Sequence, residues 1–401
     1  MKKRILVLSI ILLFSISGCS TEPHTSEQAE ESNNSKTQTL EQSSSVDVEK
    51  IEEIYQNIYE DAAEKNAVGD LETVRETVKR LGENDYIAID RENQVNMTCA
   101  EQVVEFCKKV EKQKDAQITI ISVNYEGGFT KYDLNTNQGS VDITEEYYTY
   151  KNGHLEKTGT TNYPTHSWRY TEEGYLFFEE YHMKGYDGPS GHTAMRVLPL
   201  DETYRELNRK YMLPVGYERN NVFLLNWDEN GFGEVDFYDV FDKFYKEVYG
   251  KSRPYVEAES TEDGAVYRVP KDEFEQVVKA HFNIDSETLQ SKTTYFSEDE
   301  TYEYKPRGWY ASESPSNPYP EVVVYNENDD GTITLTVNVV YPDNNTSKVY
   351  AHEVVIRPLP DGGYQYVSNH IIPSEDNCEP SWHTDRLTEE EWEEIYGEKK
   401  K

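Results

Sequence analysis

The ten residues 332–341 read TITLTVNVVY, and they restrict the fold of this chain more than any other stretch. Ile333, Leu335, Val337 and Val339 alternate with Thr332, Thr334, Thr336 and Asn338. Successive side chains of a strand point to opposite faces, so the pattern fits a strand with one buried and one polar face. Asp330-Gly331 just before it suits a tight hairpin turn. Strand-like runs at 346–357 and 363–371 follow, joined through Pro360-Asp361-Gly362-Gly363. Upstream, Phe274, Val277, Val278 and His281 share one helical face after Pro270, a residue suited to a first helical turn. Residues 292–304 read as a further strand, and 306–320, with four prolines, as a long loop.

The other half repeats this order. Val48, Ile51, Tyr55, Ile58 and Ala62 recur at helical spacing, as do Leu71, Val74, Val78 and Leu81 before Gly82. Val103, Val104, Cys107 and Val110 mark a third helix. Then the period changes. AQITIISV at 116–123 and short runs at 129–134, 141–150, 155–161, 166–171 and 175–182 are separated by Gly127-Gly128, Asn152-Gly153 and Glu173-Gly174, which predicts an antiparallel meander. A short helix is expected over 202–211 and another over 237–249, where Phe237, Val240, Phe241, Phe244 and Val248 form one stripe. Residues 251–267 read as a linker or peripheral strand, and Thr388 with Glu391 forms a capping box for a short acidic helix.

Residues 47–401 are too many for one ordinary core. The expected fold class is α+β in two domains, each of helices followed by an antiparallel β-meander, with a cone-like curved sheet in the C-terminal one. The expected bounds are 47–200, a helical joining segment over 201–267, 268–373, and an acidic tail over 374–401.

The N-terminus carries the location. Lys2, Lys3 and Arg4 precede an apolar run from Ile5 to Phe14. As a helix that run reaches only about 15 Å, half a bilayer core, so it reads as a secretion signal and not a span. It ends in Ile16-Ser17-Gly18-Cys19, which resembles the lipobox of bacterial lipoproteins. The resemblance implies removal of residues 1–18 and a diacylglyceryl group on Cys19. Residues 19–46 hold too few apolar side chains to offset the entropy of ordering them, so a disordered, Ser-rich and acidic tether is expected.

Forty basic against 76 acidic residues give a formal net charge of −36, a balance that disfavours nucleic acid and anionic lipid and that also serves solubility. The 32 tyrosines suit sheets and recognition surfaces without choosing between them. Cysteines at 99 and 107 stand roughly 12 Å apart on one helix, too far for a disulfide. An odd remainder without a Cys-x-x-Cys pair argues against a disulfide framework or a zinc site.

One stretch imitates a calcium loop. In WDENGFGEVDFYDVF, Asp228, Asn230, Glu234, Asp236 and Asp239 fall at positions one, three, seven, nine and twelve, with Gly233 at six. Such loops offer oxygens from those places, Glu234 through its carbonyl, so Ca²⁺ is a candidate cofactor. Position five, however, is Phe232, and the twelfth-place Glu is the shorter Asp239. The competing reading needs no metal: Asn230-Gly231 turns the chain and Asp236 caps the helix that follows. Asn326 to Gly331 mimics the loop start but runs into the alternating strand, so it reads as a hairpin turn.

Catalytic patterns are thin. Glu179-Glu180-Tyr181-His182 lacks the second histidine of a zinc protease, Ser190-Gly191-His192 lacks the strand-to-helix setting of a nucleophile elbow, and acid pairs such as Glu145-Glu146 are common throughout. His352 and His370 fall in neighbouring expected strands and would face each other, as a structural pair before a ligand set.

HSWRYTEEGYLFFEEY, MRVLPL, LPVGYERNNVFLLNWDENGFGEVDFYDVF, VPKDEFEQVV and NENDDGTITLTV together resemble an uncharacterised family of Gram-positive bacterial lipoproteins, over most of 160–341. That resemblance carries a location and an architecture, and no catalytic residue. The element order of the C-terminal part is similar to nuclear transport factor 2-like domains. The expected function is an extracytoplasmic lipoprotein on the outer face of the cytoplasmic membrane, binding an extracellular or envelope ligand or scaffolding an assembly. The alternatives are a hydrolase with its pocket in the C-terminal domain and a calcium-assisted structural module.

Overall fold

The computed structural model describes residues 48–186, 188, 190–255, 264–311 and 317–397; the signal, Cys19 and the tether lie outside them. The chain opens with helices α1 (Val48–Glu64) and α2 (Leu71–Glu83), strand β1 (Ile87–Asp90) and helix α3 (Ala100–Glu111). Strands β2 (Ala116–Val123), β3 (Gly128–Asn137), β4 (Ser140–Lys151) and β5 (His154–Pro164) follow, and the five strands form one sheet in the order β1-β2-β3-β4-β5. The meander β2 to β5 is antiparallel, as its turns predict. β1 is the departure. It runs parallel to β2, setting Ile87 beside Ile120, and α3 supplies the crossover that a parallel pair needs. Ile87-Ala-Ile-Asp90 is buried along its whole length, so it has no alternation to betray it.

The sheet is covered on both faces, and its period of two sorts the cover. Ile121, Val123, Phe129 and Tyr148 pack with Ile51, Tyr55, Val74 and Leu81 of α1 and α2. Ile120, Leu134 and Ile143 pack with Val103 and Phe106 of α3 and with Leu176 and Phe178. Those last two belong to a second sheet of β6 (Ser167–Tyr170), β7 (Tyr175–Glu179) and β8 (His192–Arg196), in the order β6-β7-β8.

Helix α4 (Glu202–Leu207) runs into a π-helical turn over Asn208–Met212, so the expected 202–211 helix is present but changes its winding halfway. Then come β9 (Trp227–Asp228), α5 (Phe237–Tyr249), β10 (Tyr267–Pro270), α6 (Lys271–His281), α7 (Ser286–Ser291), β11 (Tyr295–Phe296) and β12 (Thr301–Tyr304). The run expected as one strand over 292–304 is instead a small hairpin, completed by β10 in the order β10-β12-β11. β13 (Tyr319–Glu327), β14 (Ile333–Val340), β15 (Ala351–Pro358) and β16 (Tyr364–Ile371) are the C-terminal meander, with β9 added beside β16; α8 (Glu389–Tyr396) closes the chain on its capping box.

On β14, Leu335, Val337 and Val339 are fully buried, as their alternation requires. Thr334 and Thr336 are half-buried, but Val340 on the same face is covered by Tyr175 and Phe177 of β7. The polar face therefore ends where the two halves meet. The C-terminal core is aromatic: Phe241 of α5 stacks on Phe274 of α6 at 4.8 Å between centroids. Residues 211–245, within the segment expected to join the halves, contribute to this same core. The architecture is α+β with open sheets, and residues 45–401 form one compact unit. Each half keeps its own apolar core, and a seam runs between them. At that seam Tyr175 donates to Glu321 of β13 at 2.6 Å, Arg196 lies 3.4 Å from the same carboxylate, and Asn93 Nδ2 donates to the Tyr319 hydroxyl at 3.4 Å. Among the described residues no helix is long and apolar enough to cross a membrane.

Candidate functional site

β4 carries hydrophobic Val141 and Ile143 on the face turned to the second sheet, and the next residue of that parity is Glu145. Pairing sets Glu145 opposite Tyr132 of β3 and Thr161 of β5. Its carboxylate accepts the hydroxyls of Tyr147 and Tyr163. Burial and the Glu145 charge push the Tyr147 phenol up to about 12 and raise Tyr163 still further, so both remain protonated donors. The adjacent Glu146 points the other way and meets Lys157 and Lys131, the latter at 2.9 Å. Burial pushes its carboxyl up, but the two ammonium groups prevail and hold it at about 2. One residue of strand period thus separates an ion-paired carboxylate from one that only phenols meet.

Glu145 faces a cleft of about 790 Å³ between the five-stranded sheet and the β7–β8 connection. Tyr132, Tyr147, Tyr148 and Tyr163 line one wall; Glu180, His182, Ser190 and His192 line the other. The connection is closed at its neck by the Glu180 amide donating to the Gly191 carbonyl at 3.0 Å. A Cβ on Gly191 would stand 2.4 Å from the Glu180 carbonyl oxygen, so only glycine permits that approach. His182 Nε2 lies 3.4 Å from Glu180, and His192 Nε2 lies 3.7 Å from Glu179 and 3.9 Å from Asp343. Asp90, at the cleft floor, is saturated: it accepts from the amides of Glu92, Gln94 and Val95 and from the Tyr125 hydroxyl. A volume of this size accommodates a small organic ligand, and the many hydroxyl, carboxylate and imidazole groups suit a polar one. A second cleft of about 420 Å³, lined by Leu71, Arg91, Glu92, Tyr125, Arg209 and Tyr319, shares Arg91 with the first.

A model described as a family of unknown function, DUF6070, matches residues 41–386, which span both halves and the whole cleft. The chain belongs to this family. No curated protein and no solved structure matches it. The DUF6070 match ends on Arg386, a residue that also ends a buried charge network described below.

The calcium-like stretch of this DUF6070 protein takes the capped-turn geometry. Asp228 Oδ1 accepts the Asn230 amide at 2.8 Å, and Phe232 is buried. The Glu234 carbonyl accepts from Asn221 Nδ2 at 2.9 Å. Asp236 caps α5, accepting the amides of Tyr238 and Asp239. Asp239 Oδ1 and Oδ2 accept from Arg307 at 2.9 and 2.8 Å, and Arg386 donates to it as well. The five expected oxygens are therefore not gathered on one point, and no group of three or more acidic, His or Cys ligands is gathered for a metal among the described residues. The Asn326–Gly331 stretch is a hairpin turn in which Asp330 accepts the Thr332 amide at 3.0 Å.

The histidine pair is corrected by register. His370 pairs with Glu353, and His352 with Ile371, so the two imidazoles lie on opposite faces. His352 is fully buried, its Nδ1 donating to Asn369 at 2.6 Å and its Nε2 accepting from Tyr217 at 2.7 Å, while His370 is exposed. Glu180 and His182 belong to one sequence motif and Ser190 and His192 to another, neither of them catalytic by pattern; the fold brings all four to one wall. The legible clue was a charged residue at the core-facing parity of β4.

Proposed function

We propose that this protein is a lipid-anchored binding module on the outer face of the cytoplasmic membrane of a Gram-positive bacterium, with the tyrosine-lined cleft as its ligand site. The cleft carries the binding part: a built, polar concavity between two rigid sheets, with a buried carboxylate aimed at it and hydroxyls arrayed around that carboxylate. The Ile16-Ser17-Gly18-Cys19 run carries the anchoring part. Each buried methylene contributes only about 0.8 kcal/mol, so a single chain holds marginally and a diacylglyceryl pair on Cys19 suits a stable anchor. A coil over residues 20–46 would let the folded body stand roughly 30 Å from the bilayer. The helix-then-four-strand order of the C-terminal half supports the nuclear transport factor 2-like reading of that part, as scaffold.

The anchor is tested by metabolic labelling with an alkyne fatty acid. The parent protein is expected to take the label and sediment with membranes, and Cys19→Ala to lose both properties. Equal labelling of the two, or an unlabelled parent in the cytosol, would overturn the anchor. The binding part is tested by ring-resonance shifts of Tyr147 and Tyr163 against a panel of small polar compounds; no shift with any class would remove it.

A further inference from the structure

We infer that the cleft selects a small organic cation, a ligand bearing a primary ammonium or guanidinium group, which Glu145 receives. This deepens the reading of the cleft as a ligand site and rests on it. The five buried carboxylates of the described residues supply the contrast: Asp90, Glu145, Asp239, Glu275 and Glu321. Asp239 has Arg307 and Arg386, Glu275 has Lys279 at 2.6 Å, and Glu321 has Arg196. Asp90 has three backbone amides and a phenol. Glu145, 8 % exposed, has two phenols and no cation among the described residues. A carboxylate offers about four lone-pair sites, so two phenols leave acceptor capacity and the whole negative charge in place. A buried charge without a counter-ion is costly, and an incoming N–H cation removes that cost.

The surroundings agree in sign and shape. Among the described residues that line the cleft, Asp90, Glu145 and Glu180 stand against Arg91 as the one arginine or lysine, and Arg91 has Glu92 beside it, whose carboxyl burial pushes up against the pull of Arg91. Tyr132 stands opposite Glu145, and Tyr147 and Tyr163 donate their hydroxyls to it, so the phenol oxygens beside the carboxylate offer lone pairs to an N–H cation. The chain as a whole, at −36, steers cations toward it. A metal ion is a poorer fit, because no group of three or more Asp, Glu, His or Cys side chains is gathered to hold one among the described residues.

The test uses the detergent-solubilised full chain, titrated calorimetrically with cadaverine and agmatine, and with 1,5-pentanediol, glutarate and choline as neutral, anionic and quaternary controls. The amine and the guanidine are expected to bind and the diol and diacid to give no heat. Choline, which has no N–H to donate, is expected at least tenfold weaker than cadaverine. Glu145→Gln is expected to weaken cadaverine at least tenfold with an unfolding midpoint no lower than the parent's. Should that variant fail to fold, Glu180→Gln decides instead: it must weaken both cationic probes. Equal affinity for diol and diamine, no heat with either cation, or cation binding untouched in the folded variant would overturn the inference. A neutral saccharide that shifts the Tyr147 and Tyr163 resonances while the amines do not would end the cation inference and leave the cleft a binding site. Silence from every class of probe would end both.

Discussion

Asp239→Ala is expected to lower the free energy of unfolding by about 3–5 kcal/mol, the range for breaking a buried ion pair from one side. The Asp239 side chain is 1 % exposed and is gripped by Arg307, 4 % exposed, and by Arg386, 12 % exposed. Alanine would leave two buried guanidiniums without the carboxylate they share, Arg307 keeping the Ala311 and Thr384 carbonyls and Arg386 keeping Asp236 and Asp242. Those neighbours are poor substitutes, because burial above all pushes both their carboxyls up. Asp239 itself is pushed up by burial but pulled below its ordinary range by Arg386 and Arg307. Arg386 belongs to the C-terminal tail and Asp239 to α5, so the loss would loosen the tail from that helix as well. Urea unfolding followed by tryptophan fluorescence measures it, with Asp239→Asn expected to cost nearly as much since it keeps the shape and removes the charge. A loss below about 1 kcal/mol would mean that the network behaves as a surface pair.

Acidification from pH 6.5 toward 4 is expected to remove on the order of 3 kcal/mol of stability through His352 alone. Burial in an apolar, aromatic site lowers this imidazole from 6.5 to about 4, although its bond to Asn369 opposes the shift. The unfolded chain therefore binds a proton before the folded one does. The stability that His352 contributes is full above the unfolded value near 6.5 and is lost as pH falls through the folded value. His281, likewise lowered by burial against the pull of Glu247, acts in the same direction. Glu146 and Glu275, both held at about 2, act in a lower window, since their unfolded counterparts titrate near 4.5. Denaturation midpoints at pH 7 and pH 5 should differ in the parent, and the difference should shrink in His352→Gln, His281 keeping the remainder. A slope unchanged by that substitution would show that the imidazole is protonated in the folded state.

The elements legible in the sequence are those whose reason is local. The alternation at 332–341 is β14, the stripe from Phe237 to Val248 is α5, and Thr388 with Glu391 caps α8. What escaped notice depends on distant partners. β1 and β9 are four and two residues long, and each is a strand because a sheet edge was waiting for it. The histidine pair failed on one residue of register, which swaps the faces of a strand. The cleft was hidden for the same reason: its two walls are drawn from β3 to β5 and from the β7–β8 connection, and only their packing makes one space of them. Glu145 alone carried a signal, a charge where β4 should be greasy.

Glu321 leaves β13 to meet Tyr175 and Arg196 on the other side of the molecule, so each half finishes its interior with a group borrowed from its neighbour. A single peptide-bond cleavage in a surface loop between them would strand an acid on one fragment and a base on the other, and both would lose by drifting apart. Nicked molecules should therefore stay clasped. If the anchor is as proposed, such a molecule survives proteolysis at the cell surface with its ligand site on the anchored fragment and without shedding its C-terminal half into the medium.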